Sequence, residues 1–217
     1  MRSLFFSCLF LLSFCAFAQS GIGKGQIALK WDPTRLADPF NSTIQLGAEI
    51  GLNESLTIHF DLGLKSNLYK EISYYNKSIF ISHNQLRKYR YRGNFYGIDL
   101  FYVHAKDYSD YRGLYDKNKK LSFDYDSAAL IKNAPGLAII AGKQFIMGNV
   151  TIDMFIGGGL RLVNNKVEYK TRTIHAGDIP QTHYAWHNDR YSGTFPAGHV
   201  ALGIKLGYIV NRKRDKR

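Results

Sequence analysis

Three histidine-bearing groups and one aromatic–basic run hold the residues that could do chemistry. His59 and Asp61 stand two positions apart in an alternating stretch, so they share a face and could pass a proton as an acid–base pair. The same face carries several further charges. The pair therefore reads better as part of a hydrogen-bond network, because each buried polar group needs a partner. His183 and His187 are spaced four apart, with His175 nearby, and on a helix that spacing could grip a metal ion. Gly177, Pro180 and Gly193 argue against a helix there, and no third ligand is fixed beside the pair, so no metal site is assigned.

His104, with Asp107 and Ser109 close by, has the residue types of an acyl-transfer or deacylation site. Nothing in the spacing brings hydroxyl and imidazole within reach of each other. Tyr108, Tyr111, Tyr115 and Tyr125 alternate with Lys117, Lys119 and Lys120, a mixture that can stack on sugars and pair with phosphates. An aromatic belt with a solvated loop is the plainer account. Asp126-Ser127-Ala128 resembles a short O-glycosylation acceptor. The run Gly157-Gly158-Gly159 lies inside an alternating stretch and not before a helix, so it does not match a nucleotide-binding loop. No catalytic, cofactor-binding or metal-binding residue is assigned, and the chain is read as a non-enzyme without a cofactor.

The elements that would position these residues are strands. The 217 residues are 45% hydrophobic and 14% aromatic, with 20 Gly and 5 Pro, a composition that favours β structure. In 43–52 the residues Ile44, Leu46, Ala48, Ile50 and Leu52 alternate with Thr43, Gln45, Gly47, Glu49 and Gly51. In 56–65 Leu56, Ile58, Phe60, Leu62 and Leu64 alternate with Thr57, His59, Asp61, Gly63 and Lys65. The same period of two, which sends successive side chains to opposite faces, returns in 150–162 and 199–210. Weaker alternation marks 26–31, 79–91, 95–106 and 137–145, and the phase of 79–91 and 137–145 stays open.

Short connections at 53–55, 92–94 and 146–149 alternate with long ones at 32–41, 66–78, 107–133 and 164–197. Short turns on one side and long loops on the other predict an all-β fold, an eight-stranded antiparallel transmembrane β-barrel with both termini on the short-turn side. A soluble barrel or sandwich would turn its apolar residues inward instead. Two features favour apolar residues outward. Glycines on the polar face leave room in a narrow interior. The charges there also balance, with Glu49, Asp61, Asp99 and Asp153 set against Lys30, Lys65, Arg161 and Lys205. The expected lumen network is Glu49, His59, Asp61, Asp99, Asp153, Arg161 and Lys205.

The first 18 residues read as a signal peptide: Met1-Arg2, an apolar stretch over 4–17, and Ala16-Phe17-Ala18 before Gln19. Phe14 before Cys15 speaks against a lipoprotein signal. Cys8 and Cys15 both fall in this leader, so the mature chain of 199 residues has no thiol. The barrel is expected over 19–210 and a basic tail over 211–217. The formal charge of +12 falls to +11 without Arg2. For an exported chain the counter-charges are anionic lipids and lipopolysaccharide phosphates, not nucleic acid.

Ala28-Leu29-Lys30-Trp31-Asp32-Pro33 and the hairpin around Glu49 and Asp61 resemble the small outer-membrane β-barrel proteins of uncharacterised function, OmpA/OmpX-like eight-stranded barrels. Gly142-Lys143-Gln144-Phe145 followed by Thr151-Ile152-Asp153-Met154-Phe155-Ile156 is similar to that family's penultimate hairpin, and Leu202-Gly203-Ile204-Lys205-Leu206-Gly207-Tyr208 to its closing strand. The resemblance implies a barrel in the outer membrane of a Gram-negative bacterium, handled by the barrel-assembly machinery and bringing no catalytic residues. The expected role is structural or surface interaction through long extracellular loops, without an open pore, as a monomer bathed in outer-membrane lipid and lipopolysaccharide. The alternative is an outer-membrane lipid-modifying enzyme. The basic run after Val210 departs from family members that end on an aromatic residue, so Tyr208 would serve as the terminal signal from within.

Overall fold

A computed structural model describes residues 21–36, 42–66, 76–116, 121–175 and 191–211. Eight strands form one closed ring in sequence order: β1 (Ile27–Trp31), β2 (Thr43–Gly51), β3 (Leu56–Lys65), β4 (Asn76–Tyr89), β5 (Asn94–Asp116), β6 (Leu121–Met147), β7 (Val150–His175) and β8 (Tyr191–Ile209). All neighbours pair antiparallel, and β1 closes against β8 through Leu29↔Tyr208 and Trp31↔Leu206. One further pairing is parallel, between Tyr115–Asp116 of β5 and Tyr191–Ser192 of β8. Among the described residues no helix is long and apolar enough to cross a membrane.

The alternation sorts the two faces as composition predicts. Leu46, Leu62, Ile98, Ile156 and Leu202 point outward, with Ile156 65% exposed, while Glu49, His59, Asp99, Asp153 and Lys205 point inward and are nearly inaccessible. This reverses the usual sorting of a water-soluble protein. The register also settles the phase of the two ambiguous stretches. On β4 the odd positions His83, Gln85, Arg87 and Tyr89 are buried, and on β6 Ala138, Ile140 and Gln144 are. Alternation by itself does not choose on β4, because Ile79 and Ile81 on one face compete with Phe80 and Leu86 on the other.

Three long connections were expected where the structure continues strands. β5, β6 and β7 run for 23, 27 and 26 residues, against the 9–11 that cross a membrane. Most of 107–133 and parts of 164–197 are therefore extended ladder, not loop. Over 107–116 the reason is that neither face is consistently apolar. A strand wetted on both sides lacks the two-sided contrast that betrays a buried one, yet its backbone still pairs.

The lower mouth, on the short-turn side, is closed by the N-terminal segment. Gly25 N donates to Gly51 O at 2.8 Å, and Ile22 packs with Ala28, Ile146 and Ile209. Gly21 has φ +45° and lies under the Tyr89 ring, where a side chain would overlap it. Asn211 ties the far end of the chain to this plug, accepting from Ile27 N and donating to Gly25 O at 2.8 Å.

Candidate functional site

The lumen of an eight-stranded barrel is just wide enough for side chains to fill it. Its lower half is built around two acids. Glu49 on β2 accepts from Thr57 Oγ1 and Tyr89 Oη, each at 2.7 Å, and from Gln144 Nε2 at 2.9 Å. Asp153 on β7 accepts from Arg87 Nη1 at 2.7 Å, from Lys30 Nζ at 2.9 Å and from Gln144 Nε2 at 3.0 Å. Lys30 also lies 3.1 Å from Glu49, so two cations and two acids form one cluster bridging β1, β2, β4 and β7. The Arg87 guanidinium is further held by Gln85 Oε1 and lies 4.7 Å from the centre of the Phe95 ring. Charge removed from water is costly unless paired and hydrogen-bonded, and here nearly every lone pair and proton is used.

A second group sits above the first. Lys205 on β8 is ion-paired with Asp61, and its Nζ lies 2.8 Å from His59 Nε2 and 5.3 Å from the centre of the Phe155 ring. His59 Nε2 is also 2.7 Å from Asp61 Oδ2, a contact within the lumen network in which both residues were expected. Both residues are buried in the network with no described opening to a substrate. His83 Nδ1 lies 2.8 Å from Asp99 Oδ2 across β4 and β5.

Six of the seven expected network residues thus fall into ion-paired groups: Glu49, Asp153, Asp61, His59, Lys205 and Asp99. Arg161 also faces the lumen but stands apart, at the level of Phe101 and Gly136, with no carboxylate on it among the described residues. Sequence reasoning missed Arg87, Tyr89 and Gln144, which complete the lower cluster. Counting back from the short 91–93 turn would have found Arg87. The turn sets the β4–β5 register, which places Arg87 opposite Gly97, a position of the inward set.

The upper lumen is less saturated. His199 packs its ring 4.0 Å from that of Phe101, and Gly136 makes room for Phe101, since a Cβ there would collide with its ring. The short 3-10 helix Pro33–Arg35, unforeseen in the sequence, lies against β2 and β8. It starts at Asp32, whose carboxylate accepts from Thr34 N at 3.0 Å and approaches Arg35 at 3.8 Å. Val103, Ala134, Val163 and Phe195 pack together above this level.

On the outer face, His104 Nδ1 lies 2.8 Å from Asn133 Oδ1, which also accepts from Tyr102 Oη at 2.7 Å. Among the described side chains no serine is hydrogen-bonded to His104, and those of Asp107 and Ser109 lie outside the described ones. His183, His187, Lys117, Lys119 and Lys120 also lie outside the described residues, and His175 is described by its backbone alone. Among the described residues no three metal-ligating side chains converge.

No family model matches the chain, and neither does any curated protein or solved structure.

Proposed function

We propose that this chain is a β-barrel of the outer membrane of a Gram-negative bacterium, exported through an N-terminal signal peptide and inserted as a closed barrel without an open pore. The observation that carries the reading is the reversed sorting of side chains around a closed ring. A continuous outer belt of Leu, Ile and Val meets the requirement of a hydrocarbon solvent, and closure leaves no strand edge at membrane depth along the lower barrel. On β5 the apolar outward residues Ile98 and Leu100 are bracketed by Tyr96 and Tyr102, as interfacial aromatic girdles would bracket a bilayer core.

The role proposed is structural or surface interaction. The upper parts of β5, β6 and β7 exceed what a bilayer needs, so they would stand outside the cell, where cationic and aromatic side chains meet lipopolysaccharide. Buried ion-paired side chains fill the lower lumen of a barrel only wide enough for side chains, which supports a non-conducting barrel. The test is reconstitution of the mature chain into lipid vesicles and planar bilayers. The expected result is a folded, heat-modifiable band on electrophoresis with no stable conductance. Failure to insert, or a reproducible channel altered by Glu49→Gln, overturns the reading.

A second reading, a lipid-modifying enzyme, draws on His104, which faces outward at the Tyr102 level. It requires a nucleophile on the imidazole. Comparing the acyl pattern of lipopolysaccharide in cells with and without the intact gene, and with His104→Ala, decides it.

A further inference from the structure

The outer rim at the short-turn end carries its charge unevenly. Lys88 near the foot of β4, Arg90 and Arg92 in the connection that follows, and Lys143 near the foot of β6 lie on one arc from β4 to β6. Elsewhere at that end the exposed charges among the described residues are Lys24 and Glu54, of opposite sign. The register brings the four cations together. Arg90 N bonds to Asn94 O at 2.7 Å, and Asn94 pairs on its other side with Lys143. Arg90 and Lys143 are therefore two strand spacings apart, roughly 10 Å. Lys88 stands one outward pair further up, opposite Tyr96.

Three of these cations lie against aromatic rings. Arg90 is 5.3 Å from the centre of the Tyr96 ring, Arg92 4.8 Å from that of Tyr91, and Lys143 Nζ 5.0 Å from that of Phe145. A guanidinium laid on a ring keeps its N–H edge free for an anion and is held in place before one arrives. Among the described residues no ion pair takes these charges up, and Glu54, in the β2–β3 turn whose Ser55 O accepts from Tyr89 N, meets none of them. Arg92 also stands at φ 59°, ψ 35°. That left-handed conformation suits Gly or Asn and is strained for Arg, so its place there points to a use for the side chain. Away from the turns the same outer face becomes apolar at once: Ile98, Ile139 and Met154 are 50–71% exposed.

We propose that this arc binds the headgroup phosphate of an anionic phospholipid of the periplasmic leaflet, with the acyl chains laid along Ile98, Ile139 and Met154. Cations set directly beside an exposed apolar face fit an amphiphile better than a soluble polyanion, which would leave that face bare. A zwitterionic headgroup would bring its own ammonium against four cations. The assignment to a leaflet rests on the membrane reading above, but the placing of cations, rings and apolar face does not.

The test places the mature chain in nanodiscs of equal parts phosphatidylglycerol and phosphatidylethanolamine and counts the retained lipids by native mass spectrometry. Phosphatidylglycerol should be retained in preference. Arg90→Gln combined with Lys143→Gln should weaken that retention at least tenfold, whereas Lys24→Gln, at the same end but off the arc, should leave it unaltered. Arg90→Lys with Lys143→Arg, which keeps both charges, should preserve it. Arg92→Asn should weaken retention while leaving the thermal midpoint equal or higher, because it relieves the backbone. Equal retention of the two lipids, a Lys24→Gln effect as large as that of the double variant, or full retention by Arg92→Asn overturns the proposal. Quenching of Trp31, 38% exposed, by brominated lipid in a Trp186→Phe chain reads insertion by itself. Quenching without lipid preference ends the site alone, and absence of quenching ends the membrane reading and the site with it.

Discussion

Lys30 Nζ and the Asp153 carboxylate, 123 positions apart in the chain, lie 2.9 Å from each other across the lumen and join the first strand to the seventh. The strand between them in the ring, β8, is the last to be made, so this contact forms only when the barrel closes. The lower cluster is therefore a device that reports closure: its partners come from β1, β2, β4, β6 and β7.

Removing one member of that cluster should be costly. Arg87→Met leaves Glu49 and Asp153 short of a cation in a fully buried site, and a loss of about 3–5 kcal/mol is expected for a broken buried ion pair. Urea unfolding of the barrel refolded in detergent measures it. The double variant Arg87→Met with Asp153→Leu should lose less than the sum of the two single changes, since the cycle removes both charges together. Additive losses would show that the two side chains do not interact.

Gly136→Ala should destabilise the upper barrel, because the added methyl occupies space held by the Phe101 ring. Overpacking of this kind costs about 1–3 kcal/mol. Phe101→Leu in the same chain should recover part of the loss. Thermal melts of the two variants and their combination decide the matter, and a lack of recovery would place the clash elsewhere.

Asn84 is an exposed polar residue on the outer face. It lies opposite Phe60 on one side and Leu100 on the other, midway between the levels of Tyr96 and Tyr102. In hydrocarbon an unpaired amide costs about 1–3 kcal/mol by protein mutational measures, so Asn84→Leu is expected to stabilise the inserted barrel. Leu100→Arg beside it should cost about 2–4 kcal/mol, as for a cation near the bilayer midplane. Equilibrium folding into vesicles checks both, and a destabilising Asn84→Leu would mean that the amide has a partner in the membrane.

Residues 19–217 contain no cysteine, which allows topology to be read with single thiols. Glu168→Cys, on the outer face of upper β7, should react with an impermeant maleimide on intact cells. Asn53→Cys, in the exposed β2–β3 turn, should react only after the outer membrane is opened. The opposite pattern would invert the barrel.

Local sequence determines the strands whose two faces differ in polarity. In 43–52 and 56–65 the contrast between Leu46 or Leu62 and Glu49 or Asp61 sets strand type, phase and hairpin register at once, because a one-residue slip would put charge in the apolar belt. The inward placement of Lys205 follows from the same local reading. The tertiary structure decided what local contrast cannot carry. Whether Arg87 or Leu86 faces inward on β4 depended on the register imposed by β3 and β5, since both faces of that strand are mixed. That upper β5, β6 and β7 are strands depended on backbone pairing, local in the β5–β6 hairpin, where Asp116 pairs with Leu121, and remote between β6 and β7, where Ser122 pairs with His175. Which cation meets which acid is likewise a matter of ring closure. Lys30 and Asp153 are brought together by the six pairings from β1 to β7 and by closure through β8, whereas Arg161, of the same charge and on the same face as Lys205, meets no carboxylate among the described residues.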